Sequence, residues 1–183
     1  MAYHHGDLRR TLLDAAAASI AESGTAKLSL RALAKTAGVS NAAPTHHFGD
    51  KTGLLTALAA EGFDLLAESV TPSSEQGLVD MGVAYVRFAL DHPSHFAVMF
   101  EPALLRDGDP ELTAAQARAG EALAAGVAGA LPDGDDESSR YAAWSIVHGF
   151  ATLVLSGAIS VADPIAQARR VASRLVAREG GRA

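Results

Sequence analysis

The chain has no cysteine. That excludes a disulfide framework and thiol chemistry, and it fits a reducing cytoplasm, where we expect the protein to work. No stretch approaches the ~18 uncharged apolar residues of a membrane span, and the polar opening from Met1 to Arg10 does not read as a signal peptide. Strand signals are missing as well: Val and Ile are scattered, and no segment alternates apolar with polar residues. There is no P-loop, dinucleotide glycine pattern, nucleophile elbow or zinc-protease motif. The acidic run Pro132-Asp133-Gly134-Asp135-Asp136-Glu137 lacks the glycine and distal glutamate of a calcium loop and reads as solvated. These absences point away from an enzyme, a metal site and a cofactor.

What is present suits a globular helical protein. Of 183 residues, 49% are hydrophobic and 20% charged, enough to bury a core in one large domain or two small ones. Ala, Leu, Arg and Glu dominate the long segments, which favours an all-α fold. The net charge of −6 is unevenly spread. Through Ala60, Arg9, Arg10, Lys27, Arg31, Lys35 and Lys51 outnumber Asp7, Asp14, Glu22 and Asp50, leaving about +2 there and about −8 beyond. A mildly basic head on an acidic body suits a chain that presents one end to a polyanion.

Caps and apolar spacing divide the chain into helices. Asp7 caps a stripe of Leu8, Leu12, Ala15, Ala16, Ile20 and Ala21 that ends at Gly24. Ser29 opens a short helix closed by Gly38, Ser40 a third ending near Phe48, and Asp50 a fourth from Lys51 to about Ser69, stopped by Pro72. Further helices are expected over about 75–91, after His92-Pro93, after the loop around Asp107-Gly108-Asp109-Pro110 to about Leu131, and up to about Ile159. Asp163-Pro164 opens the last, with Asp as cap and Pro at the first helical position. The organisation expected is a helix-turn-helix domain over 1–50, continued by the fourth helix into a helical domain over 51–183.

The strongest local signal is Leu28-Ser29-Leu30-Arg31-Ala32-Leu33-Ala34-Lys35-Thr36-Ala37-Gly38-Val39-Ser40. Two apolar turns, a glycine able to take positive φ, an apolar corner residue and a capped second helix make a helix-turn-helix. Leu33, Ala34, Ala37, Val39 and Phe48 form its small core, leaving Asn41, Ala42, Thr45 and His46 facing outward. With His47-Phe48-Gly49-Asp50-Lys51-Thr52-Gly53-Leu54-Leu55 following, the segment from about Asp7 to Phe63 resembles the tetracycline-repressor (TetR) family.

The resemblance implies that Ser40 caps the recognition helix and that its dipole end favours a phosphate. It implies that Asn41, Ala42 and His46 face base edges in the major groove of double-stranded DNA. Ser29, Arg31, Thr45, His47 and Lys51 would hold phosphates and set register. One departure stands out: Thr45 occupies a place where the family usually has an aromatic residue, most often Tyr. Thr can still donate a hydroxyl, but with shorter reach. The neighbouring pairs His4-His5 and His46-His47 do not present ligands on one helix face, so no metal is expected at either.

Two body segments resemble a TetR subgroup named for Trp-His-Gly (WHG): His92 through Phe100, and Trp144-Ser145-Ile146-Val147-His148-Gly149-Phe150. Trp144 and His148 lie one turn apart on a single face. The resemblance implies a homodimer through the last two helices and hence a palindromic operator. It also implies a pocket for an unknown small-molecule effector, with Phe63, Tyr85, Phe88, Phe96, Met99, Phe100, Tyr141, Trp144 and His148 as candidate linings. The function expected is a sequence-specific regulator, a repressor released from DNA by a small apolar ligand. The alternatives are an activator, or a helical small-molecule-binding protein with a vestigial head.

Overall fold

The computed structural model describes residues 5–74, 76–128, 130 and 137–176. Tyr3, His4, the acidic run 132–136, Leu131 and Arg178 lie outside the described residues. Among the described residues the fold is all-helical: α1 (His5–Lys27), α2 (Leu30–Thr36), α3 (Ala43–Phe48), α4 (Lys51–Ser74), α5 (Leu78–Asp91), α6 (Pro93–Met99), a 3₁₀ turn (Pro102–Leu104), α7 (Pro110–Val127), α8 (Glu137–Leu155) and α9 (Pro164–Val176).

Local chemistry explains most boundaries. α1 begins at His5, before Asp7, and its helical run is broken at Gly24 (φ 77, ψ 166), where the apolar stripe also ends. Asp50 caps α4 by accepting the Gly53 N–H at 2.7 Å, and Asp163 caps α9 by accepting the Ala166 N–H at 2.9 Å. Asp109 does the same for α7 through the N–H groups of Glu111 and Leu112, both at 3.1 Å.

Three expectations are corrected. Asp7 does not cap α1, which already begins at His5. Pro72 does not stop α4, which continues to Ser74; its missing N–H falls in the final turn, where only one ladder bond is lost. The third helix starts at Ala43, with Ala42 and not Ser40 as its flanking residue. Hydrogen-bond accounting supplies the reason. A helix capped at Ser40 would need the N–H of residue 44 for the Ser40 carbonyl, and Pro44 has none. That carbonyl instead accepts the Ala43 N–H at 3.0 Å, closing a turn through Asn41 and Ala42.

Packing divides the chain into two compact units, one of Met1–Phe63 with Pro93–Ala115, the other of Asp64–His92 with Gln116–Ala183. In the first, Leu12, Leu13, Ala16 and Ile20 of α1 are buried, as are Leu33 and Ala34 of α2, Phe48 of α3, Leu54, Leu55 and Leu58 of α4, and Val98 and Met99 of α6. Each such large side chain contributes about 1.5–3 kcal/mol on leaving water. Gly38, at φ 67, makes the α2–α3 turn, and the Val39 N–H closes it on the Ala34 carbonyl at 3.0 Å.

In the second unit α5 packs chiefly on α9 and α8. The approach is close: a Cβ on Gly82 would stand 3.0 Å from Ala172 Cβ and 3.1 Å from Val147 Cγ1. Ala168 and Ala172 are the buried residues of α9, and Ala143, Val147, Phe150 and Ala151 those of α8. An Arg169–Asp80 pair at 2.7 Å borders the α5–α9 contact.

Candidate functional site

The helix-turn-helix presents a polar outer face over an apolar inner one. Ser29, Arg31, Ser40, Asn41, Ala42, Thr45 and His46 are all exposed, and His47 and Lys51 are half-buried. Beneath them Leu33, Ala34, Pro44 and Phe48 are buried. Ser29 flanks α2 in an extended conformation without a side-chain cap bond, so its hydroxyl is not spent on the helix. Lys51 differs from expectation in one respect: its ammonium donates to the Ala26 carbonyl at 3.2 Å. That bond gives the cation an acceptor beside an otherwise unfavourable helix start, and leaves two of its three protons for another partner.

Helix α3 is seated by contacts that no local pattern signals. The Arg9 guanidinium lies 5.7 Å from the Phe48 ring centroid and pairs with Glu111 at 3.0 Å. A Cβ on Gly53 would stand 2.0 Å from the Phe48 carbonyl oxygen, so only glycine allows α4 to pass the end of α3 this closely. Arg10 pairs with Asp14 at 2.9 Å and also with Glu61, and His95 reaches the other Glu61 oxygen at 3.2 Å. The His95 bond, and then the Arg10 charge, hold the Glu61 carboxyl below its ordinary value against the opposing effect of burial. Ser94 adds a bond to the Ala17 carbonyl at 2.6 Å, so α6 is fastened to both α1 and α4.

The nine candidate ligand residues are divided between the two units of the chain. Phe63 and Phe96 each meet the Phe100 ring edge-on, at centroid distances of 5.6 and 5.4 Å, and Met99 is buried beside Gly62. In the other unit the Tyr85 hydroxyl is the centre of a cluster. It accepts the Trp144 Nε1–H at 3.1 Å and lies 2.9 Å from His148 Nδ1. Tyr85 is fully buried, and burial raises its phenol far above the ordinary value. Burial keeps the phenol protonated and lowers the His148 pKa, so a neutral phenol and a neutral imidazole share this hydrogen bond, its direction set by the imidazole tautomer. Phe88 stacks at 5.4 Å on His92. Tyr141 stands apart at the surface, 56% exposed, with its hydroxyl donated to Glu137 at 2.7 Å.

Two further surface features belong to the second unit. A cleft of about 330 Å³ is lined by Ser69, Asp80, Arg87, Phe88, Asp91 and His92 among others; of the nine candidates it includes only Phe88. Among the described residues, the large hydrophobic side chains that remain exposed are Tyr141, Trp144, Leu153 and Leu155 of α8 and Val176 of α9. Among the described residues no cluster of His, Asp or Glu could hold a metal ion, and no helix is long and apolar enough to cross a membrane.

Comparison with known proteins agrees with this arrangement. Residues 12–58 match the profile of bacterial regulatory proteins of the tetR family, and residues 78–178 match a tetracyclin repressor-like C-terminal domain. The chain is 35% identical over 109 residues to the HTH-type transcriptional repressor AcnR of Corynebacterium efficiens, covering 58% of this chain and 54% of that one. It is 34% identical over 125 residues to the HTH-type transcriptional repressor Rv1474c of Mycobacterium tuberculosis, covering 67% of this chain and 63% of that one. The chain thus spans between about half and just under two thirds of the curated relatives it matches. A solved structure of a protein with unknown function from Rhodococcus sp. RHA1 superposes with a TM-score of 0.78 at 30% identity, over 95% of this chain and 96% of that one. On the match across both its helix-turn-helix and its C-terminal helices, the chain belongs to the tetracycline-repressor (TetR) family of bacterial regulatory proteins.

Proposed function

We propose that the protein is a sequence-specific DNA-binding transcriptional regulator that acts as a homodimeric repressor on a palindromic operator. One observation carries this reading: a packed helix-turn-helix whose outward residues, Ser29, Arg31, Asn41, Thr45 and His46, are exposed hydrogen-bonding groups. Asn41, Ala42 and His46 would read base edges, and Ser29, Arg31, Ser40, Thr45, His47 and Lys51 would hold the backbone. Thr45, shorter than the family's usual aromatic, would reach a phosphate only through a close approach. The two relatives named as repressors support the sign of regulation.

The exposed apolar residues of α8 and α9 support dimerisation through those helices. A two-fold axis there would present two recognition helices to successive major grooves. The Trp144–Tyr85–His148 cluster supports a body of the Trp-His-Gly kind, with its polar atoms as handles for a small, largely apolar effector. Such a ligand releases DNA only by its differential affinity for two conformations, typically ~1–3 kcal/mol of coupling.

The test is fluorescence anisotropy of a duplex from the gene's own upstream region against a scrambled duplex, across a salt series. Selective binding with a steep salt slope is expected, and Arg31→Ala with Lys51→Ala, which removes about four phosphate contacts from the dimer, should lower that slope by about four. Equal weak binding to both duplexes, and to fragments selected genome-wide, would refute the regulator.

A further inference from the structure

The corner between α3 and α4 is held from outside the helix-turn-helix. In the segment between α6 and α7, Arg106 makes two attachments to the start of α4. Its backbone N–H donates to Thr56 Oγ1 at 2.8 Å, and its guanidinium Nη2 donates to Asp50 Oδ1 at 3.1 Å. That same Asp50 oxygen accepts the Gly53 N–H that caps α4. Thr56 is buried, and its hydroxyl in turn donates to the Thr52 carbonyl at 2.8 Å, so a buried polar group has its bonds accounted for. A Cβ on Gly53 would stand 3.0 Å from Arg106 Nη2, and one on Gly49 3.8 Å. The guanidinium therefore lies against bare backbone where α3 passes into α4.

Helix α3 depends on this corner. It has six residues, no side-chain cap and a proline in its first turn, so its N-terminal end offers little to orient it. Its C-terminal end is anchored by buried Phe48 and by the Gly49 N–H on the Thr45 carbonyl at 2.8 Å. Whatever moves Asp50 and Gly49 redirects Thr45 and His46.

We propose that Arg106 is a positioning residue for DNA recognition: it sets the direction of α3 through Asp50 and ties that direction to the segment between α6 and α7. A shift of that segment then changes affinity for a specific duplex. The inference rests on the DNA-binding reading above. The Arg106–Asp50 pair is half-exposed on both sides, at 47% and 65%, and such pairs add little to folding stability. Its effect belongs in recognition.

The test uses the full chain, with the duplex that the wild type most enriches from a random-sequence library as probe and a scrambled duplex as control. The variants are Arg106→Ala, Asp50→Asn and the two combined; Asn keeps the capping acceptor but weakens the ion pair. Each single variant should lower affinity for the selected duplex about three- to tenfold, and the double variant no further. Scrambled-duplex affinity and the salt slope should stay put, and hydrogen exchange in the free protein should quicken at the amides of 45–49. A salt slope lower by about two for Arg106→Ala, about one for each subunit of the dimer, would mean that Arg106 touches a phosphate itself, and would overturn the proposal. So would additive losses, or unchanged affinity in every variant. If the wild type enriches no duplex, the DNA-binding reading fails instead, and the exchange measurement, made without DNA, still decides whether Arg106 orders α3.

Discussion

The helix-turn-helix and the paired helices α8 and α9 are built from the same material and leave opposite chemistry at their surfaces. Around α2 and α3 the exposed side chains are short and hydrogen-bonding, Ser29, Asn41, Thr45 and His46, with Arg31 as a cation. On α8 and α9 the exposed groups include Tyr141, Trp144, Leu153, Leu155 and Val176. Both regions bury an inner stripe, so burial alone does not distinguish them. The difference lies in what the outer face lacks. A face of donors without apolar bulk gains nothing from another protein's core but matches phosphates and base edges. A face with Trp and Leu in water gains from being covered.

The largest effect expected from breaking this comparison is at Gly53. Alanine there would place a Cβ 2.0 Å from the Phe48 carbonyl, and since backbone and not a flexible side chain must yield, the loss should reach about 1–3 kcal/mol or more. Urea unfolding should show that loss together with abolished selective DNA binding. A Gly53→Ala protein as stable and as selective as the wild type would mean that the close passage of α3 and α4 is dispensable.

Next in size is the apolar face. Replacing Leu153 and Leu155 together by Glu should weaken a dimer about hundredfold or more, seen by sedimentation velocity as a shift to monomer with helical circular dichroism retained. An unshifted dimer would place the interface elsewhere. Because the head is untouched, binding to a single half-site should survive this change, which separates the two surfaces directly.

Smaller effects are expected in the Tyr85 cluster. Tyr85→Phe removes one partner each from Trp144 Nε1 and His148 Nδ1. Trp144 is 38% exposed and His148 is half-buried, so water can replace part of what is lost. The cost should sit near the lower end of ~1–3 kcal/mol. Smallest of all is a pH effect. Burial lowers the folded-state pKa of His148 from 6.5, so the unfolded chain takes up that proton first. The contribution of neutral His148 is complete above 6.5 and is lost as pH falls from there toward the depressed folded value. His148→Gln should flatten the urea midpoint across that interval; an unchanged pH slope would assign the proton uptake to another group.

Much of the local architecture was legible because its causes are local. Asp50 and Asp163 cap helices through N–H groups three residues on, and Gly38 turns the chain where only a few residues separate α2 from α3. The start of α3 was equally local but needed bookkeeping of carbonyl acceptors and not of side-chain caps, because Pro44 removes a donor that Ser40 would require. The passage of α4 through Pro72 was missed for the opposite reason: the rule against proline weakens in a last turn.

The sequence by itself determined an all-α chain with a helix-turn-helix near its start, since caps, turns and apolar periodicity act over a few residues. Only the tertiary structure decided which distant groups meet. Arg106 and Asp50 are 56 residues apart, Trp144 and Tyr85 59, and Tyr85 and His148 63. No periodicity encodes such pairs, because each depends on how whole helices pack before two polar groups come within hydrogen-bond reach. The same holds for the aromatic residues. Composition marks Phe63, Tyr141 and Trp144 alike as apolar rings, and packing alone left the first buried, the second mostly in water and the third partly exposed with its Nε1–H on Tyr85.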